Sequence, residues 1–113
     1  MRVKWTERAT KGKQQVANYI RRKFGDDRKD QFLQQVRETT QMLKQHPEMG
    51  SIDPLFEDFP ITYRSTIING LNKMVYYIEE DEKVIYVVAF WDCRQEPNKQ
   101  REQTIARDEF AES

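Results

Sequence analysis

The sequence predicts an α+β domain: a short N-terminal strand, a two-helix hairpin, and an antiparallel β-sheet that carries the hairpin on one face, in the order β-α-α-β-β-β. Three observations lead there. Apolar residues recur at helical spacing in two consecutive stretches between Ala9 and Leu43; a proline-rich connection follows; and beyond Pro60 the period of the pattern falls to two. A chain of 113 residues has room for one core and not for a second domain.

Arg2 to Thr6 places Val3 and Trp5 on one side of a short strand and charged or polar residues on the other. Thr6 is suited to cap a helix whose stripe is Ala9, Val16, Ala17, Ile20 and Phe24, and Gly25 is a favoured stop. Asp26 and Asp27 suit a second N-terminus, after which Phe32, Leu33, Val36, Thr40 and Leu43 form a stripe that Pro47 ends. The stretch from His46 to Pro60 holds three of the four prolines together with Met49, Ile52, Leu55, Phe56 and Phe59, so it reads as a connection packed on the core. Ile61 to Ile68 and Lys73 to Ile78 alternate, are rich in β-branched and aromatic residues, and flank Asn69-Gly70, the sequence of a hairpin turn. Lys83 to Trp91 is apolar almost throughout, which fits a central strand covered on both faces. From Asp92 onward the chain is polar, with Ile105 and Phe110 as its large apolar residues, and 98–113 is expected to form a tail or short helix outside a domain spanning 1–97.

Composition excludes several classes of function. Nineteen Lys and Arg balance nineteen Asp and Glu, so any nucleic-acid site must be a local patch rather than a global field. One Cys and one His argue against a zinc centre, and no cofactor motif is present. The lone Cys93 cannot pair within the chain, and MRVKWTERAT lacks the apolar stretch of a secretory signal, so a reducing cytoplasm is expected. The apolar run Val84 to Trp91 falls well short of the ~20 residues that a membrane-spanning helix needs.

Several short strings carry a resemblance across roughly 2–97: Val3-Lys4-Trp5 followed by Ala9; Tyr19-Ile20-Arg21-Arg22-Lys23-Phe24-Gly25; Pro47-Glu48-Met49-Gly50; Tyr63-Arg64; Met74-Val75-Tyr76-Tyr77; and Trp91 to Pro97. In this order and on these elements the chain resembles the RelE/ParE family of toxins of type II toxin-antitoxin, or plasmid stabilisation, systems. The resemblance implies a growth inhibitor neutralised by a cognate antitoxin protein. It leaves two activities open: RelE-like members cut messenger RNA on the ribosome, and ParE-like members bind DNA gyrase without cleavage chemistry.

For the first activity, a metal-independent endoribonuclease directs a 2′-hydroxyl at the neighbouring phosphate and needs cations around the phosphorane. The resemblance puts Arg64, Lys73 and Arg94 in that catalytic role. Strand pairing that closes the hairpin between Ile68 and Lys73 sets Arg64 opposite Tyr77 and projects Arg64 and Lys73 from one open face, with Tyr63, Ile67, Met74, Tyr76 and Ile78 on the other. Arg94, just past the last strand, would lean toward them. Thr66 stands where RelE-like nucleases have a second lysine, and no tyrosine follows Arg94. Each basic residue also has a plain reading as a solvated surface charge. Ribosome-dependent cleavage of messenger RNA is the leading expectation, gyrase inhibition the alternative, and a degenerate antitoxin-binding protein the third.

Overall fold

In the computed structural model the described residues are 1–93. They form β1 (Arg2–Trp5), α1 (Glu7–Phe24), α2 (Asp26–Gln45), β2 (Ser51–Ile52), a 3₁₀ turn (Pro54–Phe56), β3 (Arg64–Ile68), β4 (Asn72–Glu79) and β5 (Val84–Asp92). The predicted α+β order is present, with β2 as a short addition. No helix among the described residues is long and apolar enough to cross a membrane.

Local chemistry sets the helix ends. The Thr6 side chain accepts a hydrogen bond from the Ala9 N–H at 3.2 Å, satisfying one of the free donors of the first turn of α1. Gly25 separates the helices at φ 96°, a conformation that a Cβ would oppose, and its N–H closes the last turn onto Arg21. Arg21, Arg22 and Lys23 fill that last turn, where the negative end of the helix dipole favours cations.

The sheet order is β1-β5-β4-β3-β2, and β1 runs parallel to β5 while the other pairs are antiparallel. The expected antiparallel sheet is therefore mixed. No hairpin joins β1 to β5; β5 reaches that position as the last strand of the β3-β4-β5 meander, and its direction follows from two successive reversals. A pattern read along the chain carries no sign of such a long-range pairing.

Two apolar layers enclose the sheet. On one face the helical hairpin supplies Ala9, Ala17, Phe32, Val36 and Leu43 against Met74, Tyr76, Ile85, Val87 and Phe90. The small residues of α1 let it lie close to β5, and a Cβ placed on Gly12 would come within 2.5 Å of the Phe90 carbonyl oxygen. On the other face the connection preceding β3 lays Phe56, together with Leu55, Phe59 and Ile61, over Tyr63, Val75, Tyr77, Val88 and Trp91. β5 is thus covered on both sides, which explains its unbroken apolar sequence. Trp5 and Trp91 both pack, on opposite sides of the sheet.

Candidate functional site

The β3–β4 ladder is antiparallel as expected, but its register differs by one residue. Ile68 pairs with Asn72, Ile67 with Lys73 and Arg64 with Tyr76. The reversal is a three-residue loop in which Asn69 and Gly70 both adopt positive φ, and the Leu71 N–H closes the turn onto the Ile68 carbonyl. Because side chains alternate, a shift of one residue moves all of β3 to the opposite face relative to β4. Met74, Tyr76 and Ile78 do face the helices, whereas Tyr63 and Ile67 do not share that face. Arg64 and Lys73 accordingly lie on opposite sides of the sheet. The expectation that they project together from an open face is corrected, and that face is itself covered by the connection.

On the helical side, Arg64 is held at the bend between α2 and β2. Its Nη1 donates to the Gly50 carbonyl at 2.8 Å and to that of Glu48 at 3.4 Å. Beside it the Tyr76 hydroxyl accepts from the Gly50 N–H at 2.9 Å and donates to the Pro47 carbonyl at 2.8 Å. Burial pushes the Tyr76 hydroxyl above its ordinary pKa of 10.0, with the hydrogen bond from Gly50 and the charge of Arg64 opposing the shift. Gly50 is required by this closeness, since a Cβ there would fall 2.6 Å from the Tyr76 hydroxyl.

Arg64 also borders a cleft of about 610 Å³ whose wall includes Glu48, Glu79, Glu80 and Glu82. Tyr86 in the same wall has its hydroxyl pKa raised, first by burial and then by the charge of Glu82. Four carboxylates around one guanidinium produce a negative cleft, a poor setting for a phosphate.

Lys73, on the far side, is paired. Its Nζ lies 2.9 Å from Asp53 Oδ2, with the carboxylate 5% and the lysine side chain 16% exposed. The other Asp53 oxygen accepts from the Leu55 N–H and so starts the 3₁₀ turn, and Lys73 Nζ sits 5.9 Å from the centre of the Phe56 ring. Arg94 lies outside the described residues. Among the described residues no group of three or more His, Cys, Asp and Glu side chains is placed to hold a metal ion.

A third feature was not anticipated. Between α1, α2 and the β3–β4 loop runs a groove of about 680 Å³ lined by Val16, Tyr19, Phe24, Arg28, Phe32 and Leu71. Its mouth keeps Tyr19, Phe24 and Leu71 exposed by 42, 54 and 50%. Aromatic residues on a helix end were visible in sequence, but only the position of Leu71 in the hairpin loop joins them into one surface.

The helical hairpin on a mixed five-strand sheet has a counterpart among solved structures. The structure titled "Chromosomal ParDE TA system from P. aeruginosa" superimposes with a TM-score of 0.65 over 81% of this chain and 95% of that one, at 17% identity. A family model, ParE toxin of type II toxin-antitoxin system, parDE, matches residues 3–97, and the chain belongs to that family. No curated protein matches it.

Proposed function

We propose that this ParE-family toxin arrests growth without cleaving RNA, by binding DNA gyrase, and that a cognate antitoxin neutralises it. The observation that carries this reading is the division of the two described cations. Arg64 is bonded to backbone carbonyls beside four glutamates, and Lys73 is neutralised by Asp53 across the sheet. Transition-state stabilisation of a phosphorane needs cations converging on one point. The family match points the same way, since gyrase binding is what the resemblance implies for ParE-like members.

The test is induction of the chain without any antitoxin, followed by two measurements. Purified protein at a stoichiometric ratio to gyrase is expected to suppress supercoiling, while bulk messenger RNA stays intact in the arrested cells. Unchanged supercoiling together with cut messages would overturn the proposal and return Arg64, Lys73 and Arg94 to the catalytic role that the sequence suggests.

A further inference from the structure

Methionine is usually a buried residue, and Met74 in the sheet core is fully buried. The other three methionines of the chain depart from that rule, since Met1, Met42 and Met49 are exposed by 37, 51 and 38%. All three are gathered at the end of α2, where the single histidine, His46, also stands.

A different part of the backbone brings each one there. Met42 lies one helical turn before His46, whose N–H donates to the Met42 carbonyl at 2.8 Å. Met49 ends a tight turn in which its N–H donates to the His46 carbonyl at 3.1 Å, a reversal that keeps the two Cα atoms within about 7 Å. The Met1 nitrogen donates to the Lys44 carbonyl at 3.0 Å, which lays the start of β1 beside the same helix end. Met1, His46 and Met49 border one cavity of about 470 Å³, with Ile78, Glu48 and Glu80 also on its wall.

One imidazole nitrogen and two thioether sulfurs are a soft donor set, the kind that selects monovalent copper over harder ions. The carboxylates of Glu48 and Glu80 give the cavity negative charge, which favours a cation. Zinc lacks its usual ligands, because no three His, Cys, Asp or Glu side chains are so placed among the described residues. We propose that this cavity is a copper site, in which His46, Met49 and Met1 bind one Cu(I) ion. The ion would tie the start of β1 to the bend between α2 and β2 that Arg64 and Tyr76 hold. The inference is independent of what the toxin attacks.

Full-length protein carrying Cys93→Ser, so that the thiol does not compete for the metal, is titrated without oxygen against Cu(I) held by the coloured chelator bicinchoninate. The protein is expected to withdraw one Cu(I) per chain. Met49→Leu keeps the size and apolar character of an exposed side chain, so the fold is expected to survive it. This change and His46→Gln are each expected to weaken Cu(I) binding about tenfold or more, since even an outer partner of a metal ligand is worth that much. Cu(I) is also expected to raise the melting temperature of the Cys93→Ser protein and to raise it less once Met49→Leu is added. Excess Zn²⁺ should leave Cu(I) uptake unchanged. No withdrawal of Cu(I), or uptake that both substitutions leave unaltered, would overturn the site, and displacement by Zn²⁺ would overturn its assignment to copper.

Discussion

Arg64 and Lys73 are bonded from opposite faces of the sheet to two parts of one connection: Arg64 to the carbonyls of Glu48 and Gly50, Lys73 to the carboxylate of Asp53. Between these two attachments the chain passes around the sheet edge as β2, with Ile52 paired to Arg64 itself. The cations thus fix where the connection turns from the helical side to the far side, where Phe56 covers the second apolar layer.

Lys73→Ala leaves the nearly buried Asp53 carboxylate without its counter-charge and is expected to destabilise the domain by about 3 kcal/mol. The double variant Lys73→Met, Asp53→Asn removes both charges and keeps an acceptor for the Leu55 N–H, so about 1 kcal/mol or less should be lost. Urea unfolding of both variants measures the difference. The double variant is also expected to remain toxic; loss of toxicity with stability retained would mean that Lys73 acts directly on a target.

Gly12→Ala tests the contact of α1 with β5. An alanine favours the helix by about 1 kcal/mol, but its Cβ would lie 2.5 Å from a backbone oxygen of Phe90, which has no flexible end to yield. Overpacking of this kind costs about 1 to 3 kcal/mol, so the steric term wins and the melting temperature should fall. A rise in melting temperature would show that α1 stands further from the sheet than this.

The elements were legible because each is set by nearby residues: Thr6, Gly25 and Pro47 delimit the helices, and the two stripes between Ala9 and Leu43 give their inner faces. The placement of Arg64 was not legible, because it depends on whether the loop at Asn69-Gly70 holds an odd or an even number of residues. Two- and four-residue loops put Arg64 and Lys73 on one face; the three-residue loop formed here separates them. The apolar pattern of β3 gave no warning, since Ile67 and Ile68 point to opposite faces and Ile67 is the one left half exposed. Asp53 as the partner of Lys73 was equally hidden, because it is brought across by the connection and not by any periodic element.

Tyr63→Phe is expected to stabilise the protein. The Tyr63 ring is almost fully buried, in edge-on contact with Phe56, Phe59 and Tyr77, and its hydroxyl has no hydrogen-bond partner among the described residues. Phenylalanine keeps the ring contacts and removes a desolvated donor, a change worth about 1 kcal/mol. Thermal melts of the two proteins decide it, and a lower midpoint for Tyr63→Phe would show that the hydroxyl is satisfied.

Tyr76 predicts how the fold responds to alkali. Its hydroxyl pKa is raised in the folded protein, chiefly by burial, so the folded state holds this proton more tightly than the unfolded chain does. The stabilisation is therefore fully present below the unfolded value of 10.0 and is lost as pH rises through the higher folded value. Ionisation would also remove the donor to the Pro47 carbonyl and weaken the bend that Arg64 holds beside it. Tyr76→Phe should lower stability at neutral pH by about 1 to 2 kcal/mol, because the Gly50 N–H and the Pro47 carbonyl lose their partner. Above pH 10 the gap between parent and variant is expected to narrow, since the variant has no proton to lose at this position while the parent does. Urea midpoints measured from neutral to strongly alkaline pH check this, and two curves that stay parallel throughout would remove Tyr76 as the source of the alkaline loss.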